Sequence, residues 1–257
     1  MATPGRDVTA RSAQPGMPPK RATVIAHRIV QEIKRRNLSP GAQLPPEREM
    51  LLAYNVGRNT LREALRVLEL QGVLTIRPGP GGGPVVASPD SRHLASTLAL
   101  LMQFADTPFR TVIETRQSLE PITARLCCEH ADPRILTDLR KSVDDMARSL
   151  DDLDSFLDEN RRFHSIVAWG SENALFGYCI NSLHWITDGT VLGADYPRRF
   201  RKLVWQAHDE VCAGIESGDP AQAEAAMRKH MEDTRLYFEK NYRHLRDEVL
   251  TWEMYGL

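Results

Sequence analysis

The chain has 257 residues, 42% of them hydrophobic and 26% charged, with a formal net charge of −1. That is ordinary for a soluble protein and leaves room for two small domains or one large one. No apolar run reaches the roughly 20 residues of a membrane helix, the first residues hold no apolar core of signal-peptide type, and Cys127, Cys128, Cys179 and Cys212 show neither paired zinc spacing nor a disulfide framework.

A cytoplasmic protein with reduced thiols and no membrane partner is therefore expected. The near-zero charge conceals a division. Residues 1–88 carry 13 Lys/Arg against 6 Asp/Glu, and residues 89–257 carry 20 against 28. A basic N-terminal third on an acidic remainder points to a polyanion partner at one end only.

Residues 1–19 are rich in Pro, Gly, Ala and Ser without apolar periodicity, which reads as a disordered arm. From Arg21 to Arg36, Ile25, Ile29 and Ile33 recur every fourth position, the mark of an amphipathic helix. Ser39-Pro40-Gly41 breaks the chain. Pro46 suits the first turn of a second helix, running to about Tyr54, because its missing N–H would be unpaired there. A third helix spans about Arg58 to Gln71, with Leu61, Leu65 and Leu68 on one face and Gly72 as its stop. Val73–Ile76 reads as a strand, Pro78–Pro84 as a glycine-rich turn and Val85-Val86 as the return strand. Ser88-Pro89-Asp90 opens a linker. Beyond it helical periodicity runs almost throughout, with breaks near Thr107-Pro108, Asp132-Pro133, Gly170-Ser171, Tyr196-Pro197 and Ser217–Pro220.

The expected fold is mainly α: an N-terminal winged helix-turn-helix (20–88), a linker (89–92), and a C-terminal antiparallel all-α bundle of six to eight helices (93–250). The third helix is the candidate for the major groove. Arg58 and Arg62 share a face opposite Leu61 and Leu65, and Asn59 and Thr60 sit in the same first turn. Arginine can grip guanine, and asparagine adenine, with two hydrogen bonds each. Arg48 is better placed for a backbone phosphate, and Gly81 and Gly82 would let a wing tip approach the duplex closely. On spacing alone, the arginines could equally solvate an exposed face.

Leu44-Pro45-Pro46-Glu47-Arg48, Val56-Gly57-Arg58-Asn59-Thr60-Leu61-Arg62-Glu63-Ala64-Leu65, Leu68 and Gly72-Val73-Leu74 together resemble the signature of the GntR family of bacterial regulators. The resemblance implies DNA contacts from Arg48, Arg58, Thr60 and Arg62. Pro46 and Gly57 stand where that family usually has serine, so two capping hydroxyls are absent.

In the helical region, Asn160 and His164 are four apart and share a helix face. His208 lies 10 residues before Gly218 and His230 lies 11 after Asp219, so an antiparallel hairpin brings both to one level, about 15–17 Å from the turn. If these faces converge, the four residues form a candidate site for a divalent metal, zinc first, with nickel or manganese as alternatives. Buried structural histidines are the competing reading. His27, His93, His130, His184 and His244 show no comparable spacing and read as ordinary.

Glu114-Thr115-Arg116 with Glu120, Asn160-x-x-Phe163-His164, His208, Gly218-Asp219 and His230 resemble the FadR-type C-terminal (FCD) ligand-binding domain. Many members bind a divalent metal through an aspartate and three histidines, and here Asn160 replaces the aspartate. The resemblance places Arg116 beside an effector carboxylate, while an intrahelical pair with Glu120 is the alternative.

The function expected is a homodimeric transcription factor, a repressor on palindromic double-stranded operator DNA, controlled by a small organic acid through the metal and Arg116. A regulator answering to fatty acid or acyl-CoA without metal is the alternative. A metal-dependent hydrolase comes after it, since only Glu159 adjoins the cluster as a base and its position points it elsewhere.

Overall fold

A computed structural model describes residues 20–79, 81–187, 195–249 and 251–252. The arm expected over 1–19 lies outside the described residues. The chain divides into two compact units, Met1–Pro89 and Asp90–Leu257.

In the first unit, α1 (Arg21–Arg35) buries Ala22, Ile25, Ala26, Ile29 and Ile33. The second helix, α2, spans Glu47–Tyr54, one residue later than Pro46 would start it. Pro46 keeps an extended backbone (ψ 150°) as the cap. Its carbonyl accepts from Glu49 N at 2.9 Å and Met50 N at 3.1 Å, so it closes the first turn without entering it. The third helix, α3 (Arg58–Leu70), turns Leu61, Ala64, Leu65 and Leu68 inward. Burying a leucine such as Leu61, 0% exposed, contributes about 1.5–3 kcal/mol. Helix α3 stops where Gly72 takes φ +69°. There Gly72 N bonds Glu69 O and Val73 N bonds Leu68 O, a paired closure that L residues with a Cβ rarely permit.

Strands β1 (Leu74–Arg77) and β2 (Gly83–Val86) pair antiparallel, with Leu74 opposite Val86 and Arg77 opposite Gly83. The segment after Pro40, read from sequence as a simple break, lies against the other edge of β2. Gly41 N bonds Val86 O at 2.8 Å and Leu44 N bonds Pro84 O at 2.9 Å. The ladder groups of β2 are thus satisfied on both sides.

The second unit holds seven helices among the described residues: α4 (Ser91–Phe104), α5 (Arg110–His130), α6 (Pro133–Arg148), α7 (Leu153–Gly170), α8 (Ala174–Thr187), α9 (Arg198–Glu216) and α10 (Pro220–Asn241). Helix α4 begins inside the stretch expected to be a linker, because Asp90 caps it by accepting from Arg92 N at 2.9 Å. Asp132 and Asp219 cap α6 and α10 likewise, each with proline at the first helical position. The sequence pattern gives no break at 149–152, where neither glycine nor proline stands, yet α6 ends there and Asp152 caps α7.

Two glycines set the α9–α10 hairpin. Gly218 adopts φ +71° in the turn, and a Cβ at Gly214 would come within 3.0 Å of Ala223 Cα. The helices therefore pack backbone to backbone near the turn, which fixes the level at which His208 and His230 face one another. No helix among the described residues is long and apolar enough to cross a membrane.

Candidate nucleic-acid interface and metal centre

In the N-terminal unit Arg48, Arg58, Asn59 and Arg62 are exposed and Thr60 is half-buried. The first turn of α3 thus presents its polar residues to solvent while Leu61 and Leu65 face the core. Arg62 Nε lies 3.2 Å from Glu47 Oε1, both side chains well exposed. Such a solvated pair is worth at most about 1 kcal/mol, weak enough for a phosphate or base to displace.

The wing glycines have an internal reason to be glycine. Gly81 adopts φ +78°, and a Cβ at Gly82 would stand 2.2 Å from Arg77 O. Gln43, which the sequence reading passes over, donates from Nε2 to Gly81 O at 2.9 Å and Gly82 O at 3.1 Å and so ties down the tip. Arg77, also passed over, stands exposed at the base of the wing.

In the C-terminal unit the structure brings His164 (α7), His208 (α9) and His230 (α10) together in the core, with Asn160 and Arg116 on the wall of the same small cavity. His184 (α8) joins them, so the reading of His184 as ordinary is corrected. Its partners lie on α5 and α7, and no sequence spacing relates a residue of α8 to either helix. Arg116 Nε donates to Glu120 Oε1 at 2.6 Å, and Arg116 Nη2 lies 2.8 Å from His184 Nε2. Glu120 Oε2 meets His164 Nδ1. Arg116 therefore pairs along its helix with Glu120 and also lines the cavity.

Electrostatics separates the groups. Burial pushes His164 and His184 down to about 4 and His230 to about 3, and burial together with the neighbouring histidines carries His208 well below the ordinary value. All four imidazoles are neutral near pH 7. Burial alone would raise Glu120, but the Arg116 guanidinium and His164 outweigh it and hold the carboxyl well below the usual range.

Two triads have ligand atoms within 4.8 Å of one another: Glu120, His164 and His184; and His164, His208 and His230. The first already has its cation, because the Arg116 guanidinium takes Glu120 Oε1 and His184 Nε2. The second offers three neutral imidazoles. His208 Nε2 and His230 Nε2 are 3.1 Å apart, close to the spacing of about 3.4 Å between two nitrogens bound tetrahedrally to one ion at about 2.0–2.1 Å. His208 Nδ1 is buried without a hydrogen-bond partner. The donor set fits a nitrogen-preferring divalent ion such as zinc, and the Glu120 carboxylate against His164 is the kind of outer contact that orients a ligating imidazole. Asn160, half-buried on the cavity wall, supplies an amide where a carboxylate would bring charge. Glu159 turns away to Ser142 Oγ at 3.1 Å and Arg162 Nη1 at 3.3 Å, so no general base stands beside the imidazoles from that position.

The cavity itself is small, about 30 Å³. Phe200, Val204, His230 and Thr234 separate it from a groove of about 670 Å³ between α9 and α10. Phe200 and Tyr237 stack there with ring centroids 3.4 Å apart.

Residues 21–82 match the family described as bacterial regulatory proteins, gntR family, and residues 111–233 match the FCD domain. The chain is 28% identical over 214 residues to the uncharacterized HTH-type transcriptional regulator YcbG of Bacillus subtilis, covering 83% of this chain and 88% of that one. It is 26% identical over 217 residues to the HTH-type transcriptional repressor NanR of Escherichia coli K12, covering 82% of each. Among solved structures, a GntR protein of Streptococcus agalactiae superposes with a TM-score of 0.64 at 27% identity, covering 84% of this chain and 99% of that one.

Proposed function

The chain belongs to the GntR family of bacterial regulators, as a DNA-binding transcriptional regulator with an FCD effector domain rather than an enzyme, and from that premise we propose that it acts as a homodimeric repressor of a palindromic operator, relieved by a small carboxylate. One observation carries the DNA half: Arg58, Asn59 and Arg62 stand exposed on the first turn of α3, opposite a leucine face that fixes the helix in its core. Arg58 and Asn59 read base edges, Arg62 and Thr60 support them, Arg48 takes a phosphate, and the backbone at Gly81 and Gly82 meets the duplex. Two copies related by a twofold axis place two such helices on successive major-groove faces. Leu101 and Phe104, 60% and 81% exposed on α4, supply an apolar face for the second copy.

The effector half rests on the three imidazoles of His164, His208 and His230. They hold a divalent ion, zinc by the nature of the donors, with Asn160 as a neutral fourth ligand. The ion, when bound, supplies a positive centre that a carboxylate can join. The guanidinium of Arg116 adds a second positive charge on the same wall. The cavity of about 30 Å³ is tight, and an organic acid that enters it presses on its wall. The wall that the cavity shares with the groove between α9 and α10 is made by Phe200, Val204, His230 and Thr234, and an effector that pushes α9 from α10 binds one arrangement of the domain better than the other, as a shift in equilibrium requires. A long-chain fatty acid would demand a far larger opening.

A gel-shift titration of promoter fragments, with and without chelator, tests the whole. The expected result is a preference for one fragment over random DNA, altered by chelation. Equal affinity for every fragment would sink the reading of α3, and metal-free protein from zinc-supplemented medium would sink that of the imidazoles.

A further inference from the structure

The tip of the wing is held from outside its own hairpin. Gly79, Gly81 and Gly83 adopt φ +94°, +78° and +130°, and a glycine backbone has many conformations of similar energy. One backbone bond, Gly82 N to Gly79 O at 3.0 Å, closes the turn. Beyond Leu74 the hairpin also leaves the core, since Thr75, Ile76 and Arg77 are all exposed on β1, and two strands alone are marginal in water. Gln43 comes to this tip from a firmer anchor. It bridges to Val85, its neighbour Leu44 is buried, and Val86 N bonds Ala42 O at 2.8 Å. From that segment Gln43 Nε2 reaches Gly81 O at 2.9 Å and Gly82 O at 3.1 Å. Both partners are carbonyl oxygens, so the amino end of the amide must face them, with one hydrogen for each.

We propose that Gln43 is a positioning residue of the DNA interface, acting on the duplex through the backbone of Gly81 and Gly82, which it holds in the arrangement that meets the nucleic acid. This rests on the reading of the wing as part of that interface. The hold helps binding in two ways. A tip ordered before the duplex arrives spares the entropy that binding would otherwise lose. The two carbonyl oxygens, partly negative, accept from Gln43 instead of standing bare to a chain of phosphates. Gln43 works across 38 residues of sequence from Gly81, and no local pattern marks it.

The test is Gln43→Met in the full chain, a change of like length at an exposed position that removes both donors. On the promoter fragment that the unaltered protein prefers, affinity should fall about fivefold to tenfold. Gly82→Ala disturbs the same tip, and the sugars whose hydroxyl-radical protection it removes mark the wing's footprint. At saturating protein, Gln43→Met should lose that same protection while α3 still shields guanine N7 from methylation. Added to Gly82→Ala, Gln43→Met should cost less than a further twofold; added to Arg58→Ala, the two losses should multiply. A change within twofold for Gln43→Met overturns the proposal and leaves the wing standing. So does a loss of affinity with the footprint unchanged, the mark of a merely structural role, and so do losses that multiply with Gly82→Ala. If Gly82→Ala removes no protection, the reading of the wing falls and the role of Gln43 with it.

Discussion

Arg58, Asn59 and Arg62 stand in solvent within five residues of one another, whereas Glu120, His164, His184, His208 and His230 come from five helices and are at most 4% exposed. The first group is held in place by a core that lies on the other face of the same helix. The second group is part of a core. A change to the exposed group should therefore alter recognition and leave folding alone, while a change to the buried group should be felt in stability before any ligand is considered. This contrast can be broken by experiment.

The largest effect is expected from Glu120→Leu. The substitution leaves the Arg116 guanidinium, 7% exposed, without its carboxylate, and stranding one partner of a buried pair costs about 3–5 kcal/mol. Denaturant unfolding should show a loss of that order. A loss below about 1 kcal/mol would mean that water enters the cluster and that the five helices enclose it less tightly than the contrast requires. The opposite pole is Arg58→Ala. It should weaken operator binding by about 1–3 kcal/mol, or roughly 10- to 100-fold, with the unfolding transition unmoved within about 0.5 kcal/mol. If Arg58→Ala unfolds the domain, the residue belongs to the fold and not to the interface.

The same contrast explains what could be read in advance. The order of three helices and a hairpin, the amphipathic faces of α1 and α3 and the stop at Gly72 all follow from local spacing, because each element is decided by residues within a turn or two. The level of His208 with His230 was legible too, since Gly218 and Asp219 mark the turn and helical rise does the rest. His184 was not legible. Its place beside Glu120 depends on how α8 crosses α5 and α7, and helix crossing is set by packing among distant residues. The strand-like pairing of Gly41 and Leu44 with β2 was hidden for the same reason, as was Gln43's hold on the wing tip.

A change within the wing sharpens the comparison from a third side, since the wing is exposed yet sterically fixed. Gly82→Ala would drive a Cβ to 2.2 Å from Arg77 O, a backbone atom that can move only if the hairpin does. The hairpin should open at the tip and the Gln43 contacts should be lost, costing about 1–3 kcal/mol in the N-terminal unit. Operator affinity should fall with it. Retention of full stability would show that Arg77 and Pro78 adjust more freely than their pairing suggests. Arg48→Ala should do less. As a phosphate contact it should weaken binding to all sequences alike and reduce the slope of log K against log salt by about 1, with specificity unchanged. A sequence-dependent loss would move Arg48 from the backbone to a base.

The smallest effect has the opposite sign. Gly57 caps α3 with an extended backbone, φ −78° and ψ 161°, and no side-chain hydrogen bond. A Cβ built there meets nothing within 4 Å, so serine fits without strain, unlike alanine at Gly82. In Gly57→Ser the hydroxyl oxygen can accept from the N–H of Asn59 or Thr60, which no partner inside the helix serves. Serine exceeds glycine as a cap by only a few tenths of a kcal/mol, and thermal unfolding of the N-terminal unit should rise by that amount. Since α3 already has its shape, operator affinity should change less than about twofold. A fall in stability would show that the first turn of α3 does not hold the extended cap, and with it would go the exposed setting of Arg58 on which recognition depends.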